Sequence, residues 1–245
     1  METVKLQLKE QSYTLKETLR ALKTNIQFCG DDKKVLLFTS AIPNEGKSTV
    51  VMDLARSLTD SKKSVLVIDA DIRKSVLIGR MRAKVINGRE IYGLSHLLSG
   101  QKKMSDIVYA TEKTGLFMVF AGPTVPNPTE MLEKRYFKEL IDFAREQFDY
   151  VLIDCPPMGA AIDAAVIAKH CDGALIVASQ GAVNSRAILN VKKQLENANV
   201  PILGAVLNKV RMKKNSYYGS YYGSYYGSYY GHYGHYGNEP KDEGN

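Results

Sequence analysis

A three-layer α/β/α fold, with helices on both faces of a mostly parallel central sheet, is the architecture this sequence predicts. Three observations predict it. Short apolar runs bounded by polar residues recur at Val35–Phe38, Val65–Ile68, Leu116–Phe120, Tyr150–Ile153, Gly173–Ala178 and Ile202–Leu207. Such runs are the form taken by parallel strands buried on both faces. Segments of helical period separate most of them, as in an alternating strand–helix chain. Finally, the loop after the first run, Thr39-Ser40-Ala41-Ile42-Pro43-Asn44-Glu45-Gly46-Lys47-Ser48-Thr49, ends in Gly-Lys-Ser, the phosphate-cradling end of a P-loop.

Taken in order, residues 12–28 read as a helix, because Leu15, Leu19, Leu22 and Ile26 recur at spacings of three and four. Glu17, Arg20 and Lys23, three apart, lie along one polar flank of it. Val35–Phe38 is the first buried strand, and Val50–Leu58 is the apolar-periodic helix that leaves the loop. Backbone N–H groups and the helix dipole at that N-terminus favour an anion. Lys47 can reach the β/γ-phosphates, and the Ser48 hydroxyl can ligate Mg²⁺. Ala41 occupies the position where the motif has its first glycine.

The second strand ends in Asp69-Ala70-Asp71-Ile72-Arg73. A right-handed strand–helix–strand unit from Val35 to Asp69 places both strand ends on one edge, so Asp69 and Asp71 sit beside the P-loop. Residues 75–115 are harder to read, beyond a short helix at Gly93–Gly100 closed by its glycine; His96 within it reads as a packing or surface residue. Leu116–Phe120 is a third strand, the loop Val125–Pro128 stops regular structure, and Thr129 caps a helix from Glu130 to about Gln147. The fourth strand ends in Asp154, a Walker B carboxylate near a nucleotide's Mg²⁺, and Pro156-Pro157 force the chain out of the sheet. Cys155 reads as a small packed residue. Helices at Ile162–His170 and Ser185–Ala198 flank a fifth strand, Gly173–Ala178. The last strand, Ile202–Asn208, ends in a residue that either meets an adenine edge or is a plain turn residue.

The totals agree with one α/β domain and length to spare: 245 residues, 44% of them hydrophobic. There is no run of about 18 apolar residues, so no transmembrane helix is expected. The opening METVKLQLKEQSYTLKE lacks an apolar h-region, so no secretory signal is expected. Three cysteines without disulfide or zinc spacing suit a reducing cytosol, and four histidines offer no metal cluster of their own. A net charge of +7 allows attraction to anionic lipid, acidic protein or nucleic acid without choosing among them. From Lys213 the composition changes to a YYGS repeat. Ten of the 15 tyrosines are Tyr217, Tyr218, Tyr221, Tyr222, Tyr225, Tyr226, Tyr229, Tyr230, Tyr233 and Tyr236. With glycine at every repeat and no aliphatic residue, this tail cannot build a core and is expected to be disordered. A glycine-rich stretch of its length spans about 25–30 Å, enough to visit a site on a neighbouring subunit. Three segments are therefore expected: an N-terminal helical segment at 1–34, a P-loop domain at 35–212, and a tyrosine-cluster tail at 213–245.

The P-loop Ala41–Thr49, the acidic motif Val67–Arg73, the Walker B motif Val151–Pro157 and the terminal tyrosines, in this order, resemble the P-loop protein-tyrosine kinases of bacterial capsule and exopolysaccharide systems. The likeness is to their Gram-positive cytoplasmic kinase subunit and spans almost the whole chain. Val67-Ile68-Asp69-Ala70-Asp71-Ile72-Arg73 is the diagnostic stretch. The resemblance implies ATP and Mg²⁺ as cofactors, with Ala41–Thr49 and Asn208 around the nucleotide and Ser48, Asp69 and Asp154 holding the metal. It implies that Lys47, Asp69, Asp71 and Asp154 form the catalytic set, with Asp71 taking the proton of the incoming tyrosine. It implies an autophosphorylating tyrosine kinase regulating polysaccharide polymerisation or export, with the tail tyrosines as acceptors in trans. A helical Glu-x-x-Arg-x-x-Arg motif assembles the family into rings; here Glu17, Arg20 and Lys23 occupy those positions, and Lys23 lacks the planar fork of the last arginine. A separate transmembrane activator, a cognate phosphotyrosine phosphatase, a homo-oligomeric ring and a cytoplasmic place at the inner membrane face through the activator follow from the same resemblance, with no nucleic-acid partner. Two other readings are a partitioning or cell-division ATPase, which would carry lysine where Ile42 stands, and a nucleotide-binding regulator without catalysis.

Overall fold

A computed structural model describes residues 1–210, of which the first 209 form one compact unit. Its strands are β1 (Thr3–Lys5), β2 (Val35–Ser40), β3 (Val65–Asp69), β4 (Lys84–Val85), β5 (Val108–Thr111), β6 (Leu116–Val119), β7 (Tyr150–Asp154), β8 (Gly173–Ser179) and β9 (Ile202–Asn208). The helices are α1 (Tyr13–Phe28), α2 (Lys47–Asp60), α3 (Leu77–Met81), α4 (Leu94–Leu98), α5 (Met104–Ile107), α6 (Pro128–Leu132), α7 (Arg135–Gln147), α8 (Asp163–Ala168) and α9 (Ser185–Asn197). One sheet holds all nine strands in the order β4-β1-β5-β6-β3-β7-β2-β8-β9. Its block from β6 to β9 is parallel throughout and consists of the six strands expected from the apolar runs. Parallel pairing puts the carboxyl ends of β2, β3, β7 and β8 on one edge.

The alternation of side chains along each strand divides the interior in two. Val35 and Leu37 of β2, with Leu66 and Ile68 of β3, face the core built with α4 and α6–α9. Their neighbours Leu36, Phe38, Val65 and Val67 face the other core, built with α1, α2 and α3. That two-sided burial explains why the runs are continuously apolar rather than alternating, except in the edge strand β9, none of whose residues is buried. The stripe on α1 is as expected, with Leu19 and Ile26 buried and Leu15 and Leu22 packed against them.

Four expectations change. The first 34 residues are not a separate helical segment: β1 pairs with β4 and β5, and α1 packs in the core beside α2. In the stretch 75–115 the expected short helix is α4, and it is joined by α3, β4, α5 and β5, the last antiparallel to β6. The single helix expected from Glu130 is two. At about 100° per residue, Leu132 and Ile141 would lie on opposite faces of one continuous helix. Both are buried, and the extended backbone of Lys134 re-phases the chain so that they can be. Thr129 is not the cap: Asn127 holds that position, Pro128 is the first helical residue, and the Thr129 hydroxyl donates to Asp163 at 2.6 Å. The tail tyrosines from Tyr217 to Tyr236 lie outside the described residues.

Candidate active site

The P-loop joins β2 to α2. Its cap, Gly46, has φ 88° and carries no capping side chain, and the first turn of α2 contains no acid. The first N–H groups of a helix have no partner within it, so this end is open to an anion. Glycine is required here twice over. The left-handed φ disfavours a side chain, and a Cβ would lie 2.1 Å from the Asn208 amide nitrogen. Ile42, Pro43 and Asn44 form the exposed outer side of the loop, whereas Ala41 and Glu45 are buried. Ser48 is half-buried and Thr49 exposed in the first turn.

Beside the loop stand the carboxylates. Asp69 ends β3 and Asp154 ends β7, directly opposite each other in register, 1% and 2% exposed. Lys47, at the first turn of α2, donates to Asp154 across 2.7 Å. Burial pulls the Lys47 ammonium down, but the charge and hydrogen bond of Asp154 outweigh it, and the net shift is upward. Asp69 lacks such a cation. Burial and then the neighbouring Asp154 charge push it up to about 7, against the opposing hydrogen bonds from the Ser75 hydroxyl and the Asp71 N–H. Two like charges crowded in a dry place, one of them short of a cation, suit a divalent ion. Among the described residues no three His, Cys, Asp or Glu side chains form a metal cluster by themselves. That donor set, two carboxylates and the Ser48 hydroxyl, fits Mg²⁺, which keeps several waters and takes phosphate oxygens for the rest.

Asp71 lies half-buried outside the pair, and its Oδ1 accepts from the Lys74 N–H at 3.0 Å. Arg73 turns away from the phosphate side. Its Nε and Nη2 donate to the two oxygens of Asp163 at 2.5 and 2.9 Å, and Nη2 also reaches the Thr129 hydroxyl at 3.0 Å. Burial raises the Asp163 carboxyl, but the Arg73 and Thr129 hydrogen bonds overcome it and hold it below the usual range. This fork ties the segment after β3 to α6 and α8. Asp163 carries no motif of its own; its signal was the unmatched arginine of the acidic motif.

The β7 side closes against the loop through backbone. Met158 donates to the Ser40 carbonyl at 2.9 Å, and Gly159 to that of Ala41 at 3.1 Å. A Cβ on Gly159 would sit 2.3 Å from the Ala41 oxygen. Cys155 is fully buried, and burial pushes its thiol far up, as befits a packed residue. His96 serves locally, its Nδ1 accepting from the Gly93 N–H. Asn208 donates to the Glu45 carbonyl at 2.9 Å and accepts from the Lys209 N–H, so its amide is engaged with the loop's own backbone.

Glu17, Arg20 and Lys23 are elsewhere. Glu17 pairs with Arg20 at 2.6 Å, and Lys23 donates to Ser61 just past the far end of α2. A 14-residue helix is about 20 Å long, which sets that face well apart from the phosphate end.

A family model described as an AAA domain matches residues 43–203. Tyrosine-protein kinase CpsD of Streptococcus agalactiae is 37% identical over 237 residues, covering 97% of this chain and 96% of that one. Among solved structures, the kinase domain of Escherichia coli tyrosine kinase ETK superposes with a TM-score of 0.73 at 31% identity, covering 82% of this chain and 79% of that one. The septum site-determining protein MinD of Pyrococcus horikoshii, complexed with Mg-ADP, gives a TM-score of 0.61 at 23% identity over 74% of this chain and 72% of that one. The last is a likeness of fold alone.

Proposed function

This chain belongs to the bacterial P-loop tyrosine kinases of capsule synthesis, and on that premise we propose that it transfers the γ-phosphoryl group of ATP to tyrosines of the tail of a neighbouring copy. One observation carries the proposal. Three acids end up at the P-loop in two different settings: Asp69 and Asp154 buried as a facing pair, and Asp71 half-buried beside them. The buried pair is built to meet a cation, and the more open acid to meet an incoming group.

The helix N–H groups and Lys47 bind the β- and γ-phosphates, so Lys47 exchanges Asp154 for phosphate when nucleotide enters. Ser48, Asp69 and Asp154 would hold Mg²⁺, which supplies neutralisation of the charge that develops on the transferring phosphate. A phenol of pKa near 10 arrives protonated at neutral pH, and Asp71 accepts its proton. The phenolic oxygen forms its bond to the γ-phosphorus as the bond to the bridging oxygen breaks, and that electron pair leaves on ADP. Ala41–Thr49 frame the phosphates, and Asn208 acts through the Glu45 carbonyl rather than on the base.

Among the described residues no helix is long and apolar enough to cross a membrane. A separate membrane-spanning activator would therefore hold the kinase at the inner face of the membrane, and a phosphotyrosine phosphatase would reverse the modification. Ring assembly through the face of Glu17, Arg20 and Lys23 would bring each tail to the next active site. Each phosphate adds about −1.5 to −2 charge, so successive phosphotyrosines repel and loosen the assembly.

The test mixes two full-length chains of different mass with labelled ATP and Mg²⁺. One has the ten tail tyrosines changed to phenylalanine; the other carries Lys47→Met and keeps its tail. Label on the Lys47→Met chain is the expected result. Phosphate released only to solvent would show an ATPase, and label that forms only when one chain carries both halves would show transfer in cis.

A further inference from the structure

Glu45 is the residue of the P-loop whose side chain turns inward, and it is 1% exposed. Its Oε2 accepts from the N–H groups of Ala41 at 2.8 Å and Ile42 at 3.0 Å, the first two residues of its own loop. Its Oε1 accepts from the N–H of Ser179, the last residue of β8, at 3.0 Å. Its backbone carbonyl accepts from Asn208 at the end of β9, and the carbonyl of Asn44 before it accepts from the Lys209 ammonium at 2.6 Å. The ends of β2, β8 and β9 are thus fastened to one another through this one residue. A carboxylate that accepts several backbone N–H bonds is well satisfied without a cation. Both carboxylate oxygens are engaged by backbone N–H groups, so the side chain holds the loop itself.

Its two neighbours show what the fastening opposes. Asn44 has φ 65° and Gly46 φ 88°. A non-glycine residue in that region persists only where its surroundings over-determine it. The three hydrogen bonds accepted by the carboxylate of the residue between them, two of them buried, do this. We propose that Glu45 is a positioning residue: it presets the curvature of the P-loop for phosphate and couples it to the end of β8 at Ser179. This rests on reading the loop as the ATP site.

The discriminating variant is Glu45→Gln in the full-length chain. Glutamine keeps the volume but replaces one oxygen with an amide donor, which then faces either Ser179 or Ala41 and Ile42, donor against donor. Three readouts are compared: the dissociation constant for ADP with Mg²⁺, the split between KM and kcat, and amide hydrogen exchange of the nucleotide-free protein. The expected result is at least a tenfold weaker nucleotide affinity and a matching rise in KM for ATP. The KM for a tyrosine acceptor and the kcat at saturating ATP should stay within about threefold. The amides of Ala41, Ile42 and Ser179 should exchange at least tenfold faster. A residue that merely supported the fold would lower the melting temperature and leave KM for ATP alone, and that outcome overturns the proposal. Unchanged exchange at the three amides overturns it as well. The exchange readout does not depend on nucleotide, so failure of the wild-type chain to bind ADP would count against the functional reading and not against the role of Glu45.

Discussion

Asp69→Asn should make the metal-free protein more stable at neutral and alkaline pH while removing its activity. Asp69 is buried opposite Asp154, and its carboxyl is raised from an ordinary 3.8 to about 7. The folded state therefore keeps its proton up to about pH 7, whereas the unfolded chain releases it near 3.8. Between those values the unfolded state binds fewer protons, so stability falls as pH rises, and it levels off above about 7. At about 1.36 kcal/mol per pH unit, the full fall is about 4 kcal/mol, and the part between pH 5 and pH 8 about 3 kcal/mol. An asparagine at this position has no proton to lose. Its carbonyl can accept from the Asp71 N–H, and its amide can donate to the Ser75 hydroxyl, so the two partners remain satisfied. The slope should vanish, and the variant should gain about 6–12 °C in melting temperature relative to wild type on going from pH 5 to pH 8. The assay is thermal unfolding in chelator without nucleotide, with wild type and variant compared at each pH so that every other titrating group cancels. Parallel curves for the two proteins would refute the reasoning. So would a variant that lost stability at pH 8 as well as at pH 5.

Two further outcomes follow from the contacts around the site. Arg73→Ala takes the half-exposed cation from the buried Asp163 carboxylate, which keeps the Thr129 hydroxyl, and should cost about 1–3 kcal/mol in urea unfolding, while Arg73→Lys, which lacks the fork, should recover only part of it. Gly159→Ala should raise KM for ATP at least tenfold with the fold retained, because the added carbon overlaps the Ala41 carbonyl and pushes the start of the P-loop; steady-state kinetics with varied ATP would show otherwise if KM stayed put.

The parts of this molecule that were legible in its sequence share a physical cause. Five of the six parallel strands, all but the edge strand β9, are buried on both faces, so their residues are apolar without alternation, and β3 and β7 end in the acids. Gly46 was legible because the backbone there needs φ 88° beside Asn208. The illegible parts depend on closure in three dimensions. β1 and β4 are three and two residues long and become strands only by pairing with each other and, for β1, with β5. The break at Lys134 follows from which faces of α6 and α7 the core accepts, since local propensity would carry one helix straight through. Arg73 announced a partner in the sequence but not which one, because Asp163 lies 90 residues on. Glu45 reads as any loop carboxylate until Ser179, 134 residues away, is brought against it.

These contacts also bear on why one scaffold can serve a kinase as well as an ATPase. A P-loop with two buried carboxylates supplies a phosphate and metal site and says nothing about the acceptor. Lys47 neutralises Asp154, whereas Asp69 lacks such a cation and its carboxyl is raised to about 7. On the proposed reading, nucleotide would draw Lys47 away and Mg²⁺ would be held by the two acids, so that both together would complete the site. The acceptor is a separate matter. Asp71 lies outside the buried pair, its backbone N–H bonded to Asp69 and its carboxylate accepting from Lys74. On the same reading, a phenol would hand its proton to a carboxylate held within hydrogen-bond reach. Asp71, held at both its backbone and its side chain, would suit that task, and the proposed kinase reading therefore turns on the residue just beyond the buried pair.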